Sequence, residues 1–268
     1  MKTLEFVKMH GCGNDYIYFD CMDGKNIDPH EMELFWLCDR NKGIGGDGLV
    51  FILPSDAADA RMQMFNIDGS EGMMCGNAIR CVAEYLYSKN LAPSSMKIET
   101  PSGIKTIKAA DSRPNWVVDM GQAKFLPSEI NASLVVDVEE YRITQVNMGN
   151  PHAVVFMDEI DKLDLVATGT KFEHHEKFQP ERTNTEFVQV LSKNHLKMRV
   201  WERGSGETQA CGTGACAAAV AAVLNGYCNK NEDIVVSLLG GDLTIKYTDE
   251  AVFMTGEAVK VFEGAVEV

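Results

Sequence analysis

Two short runs, EGMMCGNAI at 71–79 and ETQACGTGA at 207–215, align without a gap and set Cys75 opposite Cys211 at an offset of 136 residues. Each cysteine precedes a glycine and then a helix-forming stretch, so each is expected at a helix N-terminus. There the positive end of the dipole and the unbonded N–H groups lower a thiol pKa and attract anions. A matched pair of such thiols suits one class of chemistry. Inverting a stereocentre by proton transfer needs a base on one face of the carbon and an acid on the other, and two cysteines, one thiolate and one thiol, can exchange those roles. Removing a proton α to a carboxylate also loads charge onto that carboxylate. The backbone N–H groups of Gly76, Asn77, Gly212 and Thr213 are placed to stabilise it. A cysteine on its own is more often a small buried hydrophobe, and that is the reading for Cys21, Cys38, Cys81, Cys216 and Cys228.

The same offset pairs Gly13-Asn14 with Gly149-Asn150 and brings Asn66 opposite Glu202; it also joins Gly48 to Asn184, where the polar match fails. Two distant motifs at one offset imply two similar halves related by a pseudo-twofold axis, with a ligand cleft shared between them. Helices are expected from Cys75 (CGNAIRCVAEYLYSKN) and from Cys211 (CGTGACAAAVAAVLNG), the second buried because it is apolar all round and closed by Asn225-Gly226. A weaker helix is expected over Glu31–Asn41. β-Branched and aromatic stretches at 16–19, 49–53, 116–119, 152–157, 187–190, 197–201, 234–239 and 243–247 read as strands. Frequent Gly, Pro and Asn between them favour antiparallel sheets or barrels over repeated βαβ units.

The 268-residue chain carries 39 acidic against 25 basic residues, a formal charge of −14, which disfavours nucleic acid and an anionic membrane surface as partners. No apolar run reaches the roughly 20 residues of a membrane span, and the first residues lack a signal-peptide pattern. Eight cysteines without a C-x-x-C pair point to thiols, not to a disulfide framework or structural zinc. Two glycine patterns are decoys. Gly43–Gly48 fits G-x-G-x-x-G but follows a helix and precedes a strand, the reverse of a dinucleotide site, so it reads as a turn. The glycines after Cys211 lack a βαβ setting. The His174-His175-Glu176 run reads as a solvated loop.

Taken together, the motifs resemble the diaminopimelate epimerase family. They are Lys8-Met9-His10-Gly11, Gly13-Asn14-Asp15, Phe65-Asn66, Asp68-Gly69-Ser70-Glu71 leading to Cys75-Gly76-Asn77, Met148-Gly149-Asn150-Pro151-His152, Glu181-Arg182-Thr183-Asn184, and the run from Glu202-Arg203-Gly204 to Cys211-Gly212-Thr213-Gly214. That last run is the most specific, because cysteine-pair racemases such as proline racemase share the Cys-Gly signatures but lack it. The resemblance covers essentially the whole chain. It implies an α+β fold of two pseudo-symmetric β-barrel-like domains, each with a central helix, at residues 1–118 completed by 257–268 and at 119–256.

The resemblance also implies an isomerase that interconverts LL- and meso-diaminopimelate in lysine and peptidoglycan-precursor synthesis. The expected protein is a cytoplasmic homodimer acting on a small molecule, with no pyridoxal phosphate, other cofactor or metal. By motif, Cys75 and Cys211 become the acid–base pair, and His152 and Glu202 tune the thiols. Asn14, Asn66, Asn150, Asn184, Glu202 and Arg203 bind the substrate's amino and carboxylate groups, while Gly76-Asn77 and Gly212-Thr213 hold the reacting carboxylate. The residue chemistry suits these roles: Arg203 can bind the distal carboxylate bidentately, and the asparagines offer donors and acceptors to a zwitterion. Some members carry a site-lining Gln where this chain has Gly48, so that role is not carried over. Two other readings stay open: a racemase of another amino acid on the same fold, and a redox protein whose Cys75 and Cys211 cycle through a disulfide.

Overall fold

The computed structural model describes residues 2–268; Met1, the first residue of the expected 1–118 domain, lies outside the described residues. The chain divides into two units, Met1–Val118 with Thr255–Val268, and Asp119–Met254.

In the first unit β1 (Thr3–Gly11) and β2 (Asn14–Asp20) form a hairpin. Its two turn residues, Cys12 and Gly13, both have positive φ (54° and 74°), the conformation whose twist matches that of the strands. β2 runs parallel to β3 (Gly48–Leu53), which pairs antiparallel with β4 (Ala60–Asn66). The two-residue β5 (Glu71–Gly72) leads into helix α1 (Gly76–Ser88). After it, β6 (Ser95–Thr100) lies parallel to β4 and continues antiparallel through β7 (Gly103–Ala109) to β8 (Asn115–Asp119). Strand alternation sorts the side chains. Ile17, Phe19, Leu49 and Phe51 join Leu4, Phe6, Leu34 and Leu37 in one core, while Tyr18 on the opposite face reaches the Ala78 carbonyl of α1.

Leu34 and Leu37 come from a five-residue 3-10 turn, Leu34–Cys38, where an α-helix over Glu31–Asn41 was expected. Two aspartates explain the difference. Asp28 accepts the N–H groups of His30 and Glu31, and Asp39 those of Asn41 and Lys42. Such local bonds compete with a helix at both of its ends.

The second unit begins with β9 (Ala132–Val136), which pairs with β10 (Glu139–Asn147). β10 is antiparallel to β11 (Pro151–Phe156). Helix α2 (Leu165–Glu173) then intervenes before β12 (Asn184–Ser192), which is parallel to β11 and antiparallel to β13 (His195–Glu202). Next come β14 (Gly206–Glu207), helix α3 (Gly212–Leu224), and β15 (Asp233–Leu238), parallel to β13 and antiparallel to β16 (Gly241–Tyr247). β10 to β14 thus repeat β1 to β5 in order and sense. The two helices begin and end 136 residues apart, and the spacing grows to 138 at β6 and β15.

α2 was not expected from the sequence. It is short and rich in β-branched residues, and depends on the Asp164 cap, which accepts the Ala167 N–H at 3.0 Å, and on Phe172 packing in the core with Ile143 and Phe187. The helix runs up to His174, and His175 accepts the Lys177 N–H to cap a 3-10 turn at Glu176–Phe178, so the supposed solvated loop is an ordered helix end. α3 touches β10, β11, β12, β13, β15 and β16, which means the sheet of this unit wraps round it. Its exit at Gly226 (φ 79°) returns the N–H groups of Gly226 and Tyr227 to the Val223 and Ala222 carbonyls. β17 (Val252–Glu257) contains the boundary between units. β18 (Val259–Glu267) pairs antiparallel with β1 and so belongs to the first unit.

Candidate active site

Cys75 and Cys211 are the N-caps of α1 and α3, both with extended backbone, and in each the sulfur takes the place of the usual cap oxygen. Cys75 Sγ accepts the N–H of Ala78 at 3.5 Å and Cys211 Sγ that of Gly214 at 3.4 Å. Each thiol is therefore fixed at the positive end of its helix. Gly214 has to be glycine: a Cβ there would stand 2.7 Å from Glu186 Oε1 and 3.3 Å from the Cys211 sulfur.

Around Cys75 the key partner is Asn14, the first residue of β2. Its Nδ2 donates to Asp47 Oδ2 at 2.7 Å, which turns Oδ1 toward the thiol, at 3.3 Å, and toward the donating Nδ2 of Asn77, at 3.2 Å. Asp47 is pinned by Arg40, and Arg40 together with Lys8 pairs with Asp15. Burial opposes ionisation of Asp15, but the hydrogen bonds and charges of Arg40 and Lys8 prevail and hold its carboxyl below the ordinary range. The Gly43–Gly48 segment, expected only as a turn, thus delivers Asp47 to Asn14. Tyr16 is buried with its hydroxyl against the Cys75 sulfur; burial and the neighbouring thiol push this phenol well above its usual pKa. Burial also pushes Cys75 up, opposed by the N–H groups of Ala78 and Asn77, by Tyr16 and by Arg80. Arg80 is fully buried and donates to the carbonyls of Gly76 and Glu257 and to Asn77 Oδ1.

Asn66 is exposed at the end of β4 with its amide tied to Ser70, and it does not join the group around Cys75. At Gly48 a Cβ would stand 2.1 Å from the Phe65 carbonyl oxygen, so the glycine is a packing requirement of the β3–β4 pair and no glutamine can occupy this backbone.

Around Cys211, His152 is buried on β11, with Nδ1 2.6 Å from Glu186 Oε1 and Nε2 3.0 Å from Asn150 Oδ1. Asn150 Nδ2 donates to Thr213 Oγ1 at 3.3 Å, and that hydroxyl lies 3.5 Å from the Cys211 sulfur. Glu202, at the end of β13, accepts the Thr208 hydroxyl and lies within hydrogen-bond reach of Cys211. Burial raises the Glu202 carboxyl; Thr208 and Cys211 pull it back. Burial, then the Glu202 and Glu186 carboxylates, push the Cys211 thiol well above its usual value. The two thiols therefore sit in unlike fields, Cys75 near a cation and Cys211 near two carboxyl groups. Asn184 is buried and accepts the Arg203 N–H at 2.9 Å, while the exposed Arg203 guanidinium donates to the Glu181 carbonyl at 2.7 Å.

Tyr16, Asp47, Thr208 and Glu186 escaped the sequence reading. For Tyr16 a signal existed, since the offset of 136 lays it on His152 and the parallel registers agree, with Tyr16 beside Gly48 and His152 beside Asn184. For Glu186 there was none, because Val50 stands at the equivalent place. Chemically, each unit presents one helix-capping thiol with its own set of proton partners, beside first-turn N–H groups able to hold a carboxylate.

Comparison with known proteins gives the chain's family. A family model described as Diaminopimelate epimerase matches residues 6–126 and 144–261. A diaminopimelate epimerase of Methanococcus maripaludis is 48% identical over 281 residues, covering 99% of this chain and 100% of the relative. One of Desulfovibrio desulfuricans is 49% identical over 285 residues, covering 98% of each. Among solved structures, a Bacillus anthracis phenazine biosynthesis protein of the PhzF family superposes with a TM-score of 0.76 at 18% identity, covering 100% of both chains. A hydroxyproline epimerase from Agrobacterium vitis, with bound trans-4-hydroxy-L-proline, gives 0.72 at 16% identity, covering 98% of this chain and 92% of that one. Those two likenesses show the fold; the full-length sequence matches go further. On the family match and the near-complete coverage of its relatives, the chain belongs to the diaminopimelate epimerase family.

Proposed function

We propose that this protein interconverts LL- and meso-2,6-diaminopimelate by moving the proton at one α-carbon between two thiols, without pyridoxal phosphate. The observation that carries the reading is the pair of N-cap cysteines at matched positions, one per unit, with unlike partners. One sulfur, as thiolate, takes the α-proton while the other, as thiol, delivers its own to the opposite face; the reverse reaction exchanges them. As charge builds on the adjacent carboxylate, the N–H groups of Gly76, Asn77, Gly212 and Thr213 stabilise it. Glu202 faces Cys211 and accepts the thiol hydrogen when the sulfur is protonated, and His152 sets the polar surroundings of that sulfur. Asn14, Asn150, Asn184 and Glu202 receive the substrate's ammonium and carboxylate groups, and Arg203 takes the distal carboxylate after leaving the Glu181 carbonyl. Asn66 serves only if substrate displaces its bond to Ser70. The same reading places the protein in the cytoplasm as a homodimer, and the exposed Val261 and Phe262 of β18 are apolar surface of the kind a partner covers.

The test is incubation of the reduced protein with meso-diaminopimelate in deuterated water. Deuterium incorporation at one carbon and appearance of the LL isomer are expected, both lost in Cys75→Ala and in Cys211→Ala. Exchange surviving in both variants rejects the two-thiol mechanism, and turnover of a different amino acid alone rejects the substrate.

A further inference from the structure

The mechanism above gives Glu186 no role, yet its position is unusual. Its side chain is fully buried on β12, Oε1 lies 2.6 Å from His152 Nδ1, and Oε2 has no hydrogen-bond partner among the described residues. A buried carboxyl group with an unmet oxygen is costly. The fold does not require it, since the equivalent place in the first unit holds buried Val50.

From Glu186 an unbroken line of polar contacts leads to the catalytic sulfur. Glu186 Oε1 meets His152 Nδ1 at 2.6 Å, His152 Nε2 meets Asn150 Oδ1 at 3.0 Å, Asn150 Nδ2 meets Thr213 Oγ1 at 3.3 Å, and Thr213 Oγ1 meets Cys211 Sγ at 3.5 Å. We propose that Glu186 is a positioning residue that fixes the direction of this line, so that the Thr213 hydroxyl donates to Cys211 whenever its sulfur carries charge. The inference rests on the reading of Cys211 as an acid–base group.

The direction follows from which atoms can donate. An amide oxygen only accepts, so Asn150 Oδ1 needs a hydrogen on His152 Nε2. A carboxylate facing a neutral imidazole with its hydrogen on Nδ1 would leave Nε2 bare, so the contact with Asn150 requires the Glu186–His152 pair to hold a second proton. The proton shared across the 2.6 Å contact sits on Nδ1, as imidazolium facing carboxylate, or on Oε1, as imidazole facing carboxylic acid. In both forms the pair is neutral and Nε2 keeps its hydrogen. Asn150 then turns Nδ2 to Thr213, whose oxygen accepts and whose own hydrogen is left for the sulfur. Without the carboxyl group, a neutral imidazole is free to place its single hydrogen on Nδ1. Asn150 then rotates to donate to the bare Nε2, its oxygen takes the Thr213 hydrogen, and the sulfur loses a donor. No proton travels along the line; its polarity alone acts. The titratable groups around Cys211 are Glu202 on β13, Glu186 on β12 and, behind Glu186, His152 on β11. Since the Glu202 and Glu186 carboxylates oppose a thiolate, the Thr213 donor offsets part of that opposition.

Iodoacetamide alkylation of Cys211, followed against pH by peptide mass in a Cys75→Ala background and without substrate, reads the thiol directly and does not depend on epimerase turnover. Glu186→Leu and Glu186→Gln both remove the carboxylate that opposes a thiolate at Cys211, so the two are compared with each other. Glu186→Gln keeps the line, because its amide N–H can donate to Nδ1 and leave the hydrogen on Nε2, and Glu186→Leu is expected to titrate about one pH unit above it, the effect of losing one hydrogen bond to a charged group. Thr213→Val should raise the Glu186→Gln midpoint by the same amount and leave that of Glu186→Leu unmoved. In the unaltered protein, the 15N signals of His152 should show Nε2 protonated at neutral pH, an observation independent of how any variant folds. A bare Nε2, a further rise when Thr213→Val is added to Glu186→Leu, or Glu186→Leu titrating at or below Glu186→Gln would each overturn the proposal.

Discussion

Asn14 and Asn150 hold equivalent places in the two units but turn opposite atoms toward the chemistry. Asp47 takes the Asn14 amide hydrogen and leaves its oxygen for Cys75, whereas His152 takes the Asn150 oxygen and leaves its amide hydrogen for Thr213. An amide is a two-faced group, and its neighbour decides which face is offered. Tyr16, the counterpart of His152, adds a donor to Cys75 that the other sulfur lacks. Tyr16→Phe should therefore raise the Cys75 thiol pKa and lower kcat about tenfold at neutral pH, the scale of one hydrogen bond to a charged sulfur. With KM little changed, the loss should shrink as pH rises; a flat kcat–pH comparison with the parent would contradict this role. The two cysteines, Asn14 and Asn150 were legible because they lie in short, near-repeated runs, whereas His152 and Asn184 came with the family resemblance. Asp47 and Glu186 were not legible, since each reaches its site through strand pairing, and neither has a repeated neighbour to mark it.

At the scale of elements, the site is two helix starts. α1 and α3 were readable because each begins at a cysteine–glycine step and continues with an apolar pattern, and because the same spacing serves both. α2 and the 3-10 turn at Leu34–Cys38 were not, being short segments whose state depends on aspartate caps and on packing against the sheet. The α3 start is also closely packed. Gly214→Ala would bring a methyl group to 2.7 Å from Glu186 Oε1, forcing apart the cap and the carboxyl group beneath it. A loss of about 1–3 kcal/mol in a urea titration is expected, together with faster alkylation of a displaced Cys211. Unchanged stability would mean that the cap yields without cost.

For the whole molecule, the ion cluster of Lys8, Asp15, Arg40 and Asp47 ties β1 and β2 to the segment before β3. The Asp15 pKa is depressed from 3.8 in the fold, so its contribution is fully present above about pH 4 and disappears as pH falls through the lower, folded value. Asp15→Asn should cost on the order of 3 kcal/mol at neutral pH, since it strands the buried Lys8 ammonium. Its deficit relative to the parent should narrow below pH 4, and a gap constant with pH would remove the ion pair as the cause. The chain's path has a consequence of a different kind. Because β18 closes the first unit from the far end of the sequence, a ribosome releases every residue of the second unit before it has supplied the edge strand that the first unit needs. The first unit is therefore completed only after the second has been made, and β1 emerges with one bare edge that waits for Val259–Glu267 to cover it.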